Sequence, residues 1–153
     1  PLVDEGARIL CRGEWASRGL EMDDARFNKK TDFKTVPGVL ENHKGTGEAC
    51  AFIDVDAEGD GRCVAGICNE KLPLALKISY NKQQLPSLTN WQHFGSNEYV
   101  TALEPGTNPP IGQARIRSQG QLIYLRPGES RQFDLEIEVL SEPEQVRQFA
   151  ERF

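Results

Sequence analysis

The segment Arg131–Leu140, RQFDLEIEVL, alternates strictly: Phe133, Leu135, Ile137 and Val139 are apolar, and Gln132, Asp134, Glu136 and Glu138 between them are polar. A period of two marks a strand with one face in a core and one in water. The turn RPGES stands before it, with Pro127 and Gly128 placed for a reversal. Upstream, short apolar runs recur between Gly, Pro and Asn clusters, the punctuation of an antiparallel β protein. The expected strands are Ala49–Asp54, Arg62–Asn69, Leu74–Tyr80, Tyr99–Glu104, Ala114–Leu125 with a break near Gly120, and Arg131–Leu140. DAEGDGR, between the first two, reads as a hairpin loop. The pattern predicts an all-β fold, an antiparallel β-sandwich whose inner faces hold Phe133, Leu135, Ile137, Val139, Ile78, Leu76 and Val64.

Only the C-terminus reads as helix. In SEPEQVRQFAERF, Ser141 is a candidate N-cap, Pro143 suits the first turn, and Val146, Phe149, Ala150 and Phe153 share one face. That face is expected to pack on the sheet. The first forty residues mix charges and aromatics without a clean period and are expected to form mainly long loops, which serve a site or a partner surface.

At 153 residues the chain makes one domain with a real core. A formal charge of −5 and a pI near 5.1 argue against a nucleic-acid partner. No apolar run reaches the roughly 18 residues of a membrane-spanning helix. Cys11, Cys50, Cys63 and Cys68 fit neither zinc-pair spacing nor a disulfide framework, so they read as buried reduced thiols in a cytoplasmic protein. Cys63 and Cys68 should lie on opposite faces of one strand.

YVTALEPGTNPP, Tyr99–Pro110, delivers Glu104 to a strand end where Pro105, Gly106, Pro109 and Pro110 halt regular structure. A carboxylate on rigid backbone beside an open loop is how a general base is presented; a surface carboxylate at a strand end is the plain alternative. His93, between Trp91 and Phe94 in NWQHFG, is either a general acid near neutral pH or a packed side chain. His43 lies in a polar, glycine-flanked loop. The GxG fragments at Gly45–Gly47 and Gly59–Gly61 read as turns, and DVDAEGDG lacks the twelfth-position Glu of a calcium loop.

Four segments resemble the galactose mutarotase-like superfamily, in particular a less-characterised branch of the aldose 1-epimerases. They are PLVDEGARI at the start, GDGRCVAGICNEKLPLALKISYN, LPSLTNWQHFGSNEYVTALEP, and GQLIYLRPGESRQFDLEIEVL. The resemblance implies that residues 1–153 are a single β-sandwich domain, the C-terminal portion of a larger sugar-epimerase-like domain and part of its supersandwich. It implies an isomerase that interconverts the anomers of a free sugar without cofactor or metal. It assigns the general base to Glu104 and the hydroxyl-binding acid to Glu48, a Glu where the epimerases have Asp. The family's acid, a His, belongs to a motif ending just before Pro1, so this chain is expected to carry the base without the acid. A companion chain or self-association is expected to cover the sheet edge left open. Trp91, His93 and Arg115 complete the expected sugar contacts; Arg115 and Arg117 are placed either to meet an acidic or phosphorylated sugar or as solvated strand charges.

Two other readings stand beside the epimerase. One is a carbohydrate-binding β-sandwich without catalysis, with Trp91, Tyr99 and Tyr124 stacking on sugar faces. The other is a structural accessory half.

Overall fold

The computed structural model describes residues 1–28 and 33–153. Its strands are β1 (Arg8–Cys11), β2 (Gly13–Ser17), β3 (Ala49–Val55), β4 (Arg62–Asn69), β5 (Leu74–Asn81), β6 (Ser87–Gly95), β7 (Glu98–Gly106) and β8 (Leu135–Leu140). Three helices, α1 (Glu21–Asn28), α2 (Gln113–Ser118) and α3 (Pro143–Glu151), and a 3-10 turn at Glu41–His43 join them. Two four-stranded antiparallel sheets, ordered β1-β4-β5-β8 and β2-β3-β6-β7, stack as a β-sandwich. The core between them joins Cys11, Cys63, Ala65, Ile78 and Tyr80 of the first sheet to Ile53, Val55 and Leu88 of the second. No helix among the described residues is long and apolar enough to cross a membrane.

The chain passes between sheets at Gly13, whose φ of 140° and close approach to β3 exclude a side chain: a Cβ there would stand 2.2 Å from the Asp54 carbonyl oxygen. The expected loops of the N-terminal region are therefore β1, β2 and α1; residues 29–32 of that region lie outside the described residues. DAEGDGR is likewise no hairpin, because β3 and β4 belong to different sheets.

β6 is the strand the alternation missed. Its inward positions Asn90 and Gln92 are polar yet wholly buried. Asn90 donates to Thr101 Oγ1 and the Ala102 carbonyl, both at 2.9 Å, and Gln92 donates to the Phe33 carbonyl at 2.9 Å. With those bonds made, polar side chains occupy core positions and erase the two-residue hydrophobic signal.

The expected strand Ala114–Leu125 is absent: its first part lies in α2, and residues 121–125 have no regular structure. After α2, the N–H of Gly120 donates to the Arg117 carbonyl at 3.0 Å and that of Gln121 to the Ile116 carbonyl at 3.1 Å. This pair of bonds around a glycine with φ 68° is a Schellman cap, so the sequence break at Gly120 ends a helix. The C-terminal helix stands as expected, with Val146, Phe149 and Ala150 buried against Leu10, Val64, Cys68 and Leu140. Its N-cap is Glu142 rather than Ser141. Cys63 enters the inter-sheet core and Cys68 lies beneath α3, on opposite faces of β4.

The expected inner face of the last strand is corrected as well. β8 begins at Leu135, so Phe133 precedes it, and Phe133, Leu135, Ile137 and Val139 are all exposed. Ile78 is buried in the inter-sheet core and Leu76 only partly buried, whereas Val64, also expected on the inner face, is buried on the opposite face of β4 beneath α3. β8 is an edge strand paired only with β5, and the second sheet does not extend beneath it. Ile137 and its cross-strand partner Ile78 share a face, yet their exposures are 61% and 5%. The same truncation should therefore read differently at each. Ile78→Val is expected to lower the unfolding free energy by about 0.5–1.5 kcal/mol, and Ile137→Val to change it by less than about 0.5 kcal/mol in urea melts. Equal losses would mean that the β8 face is covered in solution.

Candidate functional site

The outward face of the sheet β2-β3-β6-β7 gathers most of the expected site residues. Register places Cys50 beside Trp91 and Trp91 beside Ala102, then Phe52 beside Thr89 and Thr89 beside Glu104. These side chains point away from the core, since their neighbours Ile53, Leu88 and Asn90 point in. Glu48 leads into β3 on the same side. Trp91 donates its indole N–H to Glu48 Oε2 at 2.6 Å, and the Trp91 and His93 rings stack 6.0 Å apart.

Glu48 is the most firmly held of these groups. Arg18 Nη1 donates to Oε1 at 2.5 Å while Trp91 holds the other oxygen. Arg18 is itself anchored by Asp23, which accepts from Nε at 2.9 Å and from Nη2 at 3.1 Å. Asp23 is wholly buried. It also accepts from the Cys50 N–H at 2.7 Å and the Leu20 N–H at 3.0 Å. β2 ends at Ser17, one residue short of covering the Cys50 N–H, and Asp23 takes the place of the missing strand. The bond to Leu20 caps α1 from its third residue, the acidic half of a capping box. The hydrogen bond from Arg18, and after it that from Trp91, hold the Glu48 carboxyl below the usual carboxylate range. Glu48 is thus an ionised acceptor with fixed orientation, and its side chain remains 37% exposed.

Glu104 is different. It lies inside β7, with Pro105 and Gly106 still paired to β6, not at the strand's end. It is exposed and, among the described residues, its side chain has no hydrogen bond or ion pair. Cys50, which lies beside Trp91 on this face, has its thiol pushed up to about 11 by burial first; the charges of Arg18, Glu48, Asp23 and Glu104 act less. One fixed and one free carboxylate therefore share this face, around an inert thiol.

His93 is committed to structure. Nδ1 bonds the Gly47 carbonyl and Nε2 lies 3.1 Å from Glu98. The ring is buried, so it orients Trp91 and does not present a free acid. Arg115 is not on this sheet: it sits exposed on α2, where a strand was expected. Tyr99 faces the other side, packed with Phe94 and bonded to the Pro37 carbonyl. Tyr124 is exposed beyond α2.

Reasoning from sequence missed Arg18 and Asp23. The one local signal is an acid at the third helical position of α1; the pairing across to Glu48 is tertiary. It also passed over His43, which is wholly buried and stacked on Phe94. His43 Nδ1 accepts from the Phe94 N–H at 3.1 Å, which places the proton on Nε2, and Nε2 has no partner among the described residues. Burial, then the neighbouring His93, lowers its proton affinity below the ordinary 6.5. A depressed pKa means the unfolded chain binds more protons, so this contribution is present above 6.5 and is lost as pH falls below it. The melting temperature is expected to fall between pH 7.5 and pH 5.5, and His43→Asn, which keeps an acceptor for Phe94, should flatten that slope. An unchanged slope would exclude His43 as its source.

Residues 1–139 match a family described as a domain of unknown function, DUF4432. The chain belongs to this family. No curated protein matches it. Among solved structures, the DUF4432 chain is similar to a Klebsiella pneumoniae subsp. pneumoniae MGH 78578 protein provisionally assigned as an aldose 1-epimerase, with a TM-score of 0.86 and 26% identity. The match covers 99% of this chain and 38% of the Klebsiella chain. The fold of this DUF4432 domain is therefore galactose mutarotase-like, and it spans well under half the length of that relative.

Proposed function

We propose that this chain supplies the base-bearing, sugar-binding face of an aldose 1-epimerase-like protein acting on a free sugar. The observation that carries the reading is the contrast on one sheet face between Glu48, ionised and held by two donors, and Glu104, exposed and unpartnered among the described residues. Anomer interconversion needs a base to take the anomeric hydroxyl proton while an acid protonates the ring oxygen; the ring opens, the carbonyl carbon rotates, and closure gives the other anomer. Glu104 takes the proton. Glu48 accepts sugar hydroxyl protons in hydrogen bonds without itself titrating, and Trp91 offers partly exposed ring surface beside it. This chemistry asks for no cofactor or metal.

In this reading the chain is one portion of a larger epimerase domain, and the acid comes from elsewhere. The second reading, a carbohydrate-binding sandwich without catalysis, draws on the state of the histidines. Both nitrogens of His93 are occupied and His43 is buried, so neither imidazole among the described residues is free to serve as the acid. A thermal melt with reducing sugars, run beside an anomer-exchange assay on the complete domain that includes the portion supplying the acid, separates the two. Protection with accelerated exchange supports the epimerase, protection with exchange at the buffer rate supports the binding module, and no protection by any sugar removes both.

A further inference from the structure

Beyond Glu104, the same outward face continues into an open cleft of about 650 Å³ between β2, β3 and the segments that follow β7 and α2. Phe52, Pro86 and Ile123 give it apolar walls, and Glu14, Asp54 and Asn108 stand among its polar groups. Phe52 is two strand spacings from Glu104, through Thr89, which at the usual inter-strand distance is about 10 Å. That is the reach of a sugar ring plus its glycosidic link. The volume falls in the range that encloses a ligand of drug size, more than one monosaccharide seated at Glu104 requires.

The lining chemistry narrows the occupant. Two carboxylates, Glu14 and Asp54, line the cleft, and no lysine or arginine does so among its described lining residues. The nearby cation, Lys82, is tied to Asp54 at 2.6 Å and to the Val55 carbonyl. A phosphorylated or acidic ligand would meet the carboxylate of Glu14 with no lining cation to offset it, since Lys82 is already paired with Asp54. A neutral, hydroxyl-rich ring with one apolar face suits it: the ring face lies on half-buried Phe52 and the hydroxyls donate to the carboxylates and the amide.

The geometry points to a second sugar subsite in this cleft, so that the preferred substrate is a neutral reducing disaccharide whose reducing unit lies at Glu104 and whose second unit lies on Phe52. This rests on the epimerase-like reading of Glu104 and extends it to substrate class. The test measures anomer exchange and saturation-transfer NMR binding for maltose, cellobiose and lactose against glucose and galactose, in the complete protein, which includes the portion that supplies the acid, and in its Phe52→Ala variant. The expected result is that at least one disaccharide exceeds both monosaccharides in kcat/KM, and that Phe52→Ala lowers that value about tenfold while changing the monosaccharide values less than twofold. Exchange on monosaccharides with no disaccharide preference overturns the subsite and leaves the epimerase reading standing. Disaccharide binding that needs Phe52, without exchange on any sugar, supports the subsite and overturns the epimerase reading. Absence of both binding and exchange overturns the two together. Asp54→Asn, on an exposed side chain, serves as a second variant should Phe52→Ala fail to fold, with the same selective loss expected.

Discussion

Glu104→Gln is expected to slow anomer interconversion at least a hundredfold while leaving the fold intact. The substitution keeps the shape of the side chain and removes its basicity, and one general base is typically worth about 10²- to 10⁴-fold. The Glu104 side chain makes no hydrogen bond or ion pair among the described residues, so the amide orphans no partner and the melting temperature should hardly move. Sugar affinity should change little, because hydroxyl recognition falls mainly to Glu48. The expected signature is a fall in kcat with KM nearly constant. A loss of only a few-fold would remove Glu104 from the chemistry. A large loss accompanied by a lower melting temperature would instead assign it a structural part.

The second large effect is expected at Asp23. Asp23→Ala should lower the unfolding free energy by about 3–5 kcal/mol, the range for breaking one side of a buried ion pair. Four donors lose their acceptor: two from Arg18 and the backbone N–H groups of Leu20 and Cys50. The consequence reaches the site, because Arg18 then has only Glu48 to hold it. Loss of the Arg18 hydrogen bond, as in Arg18→Met, should let the Glu48 carboxyl rise toward its ordinary value, and sugar binding that needs the carboxylate should then weaken at a higher pH than in the wild type. Arg18→Met isolates this step. It removes the guanidinium beside Glu48 directly, and a double-mutant cycle with Asp23→Asn should give a coupling well above the few tenths of a kcal/mol expected of independent sites. Additive losses would mean that the Asp23–Arg18–Glu48 chain does not act as a unit.

Legibility of the fold followed burial. β3, β4, β5 and β7 could be read from their apolar runs because the environment rewards those residues at those positions. β6 could not, since Asn90 and Gln92 meet their hydrogen-bonding needs inside the core and imitate a loop in sequence. RQFDLEIEVL gave the right element and the wrong environment: alternation reports two unlike faces, and here the apolar one overhangs the second sheet at an open edge. The α2 segment misled in the opposite sense. Ala114, Ile116 and Ser118 alternate like a strand, but one buried residue, Ile116, and a glycine cap at Gly120 suffice for a short helix.

The site divides in the same way. Glu104 and His93 were singled out from their own sequence contexts and Glu48 and Trp91 through the family resemblance, and the register of β3, β6 and β7 brings these expected residues to one face. Arg115 was placed by assuming a strand that is a helix. Arg18 and Asp23 left almost no trace in sequence, because each is defined by a partner brought to it by the fold, 30 positions on for Arg18 and 27 for Asp23. Residues that position a functional group are held by such tertiary pairings, which carry no local period.

The most direct test is anomer exchange itself, followed by NMR magnetisation transfer between the α and β anomers of a panel of neutral reducing sugars, with the complete epimerase domain, residues 1–153 together with the portion that supplies the acid, folded and at catalytic concentration. The expected result is exchange above the buffer rate for at least one sugar, abolished by Glu104→Gln. Exchange at the buffer rate for every sugar, from protein whose melt shows it folded, would contradict the assignment of this sheet face to an epimerase.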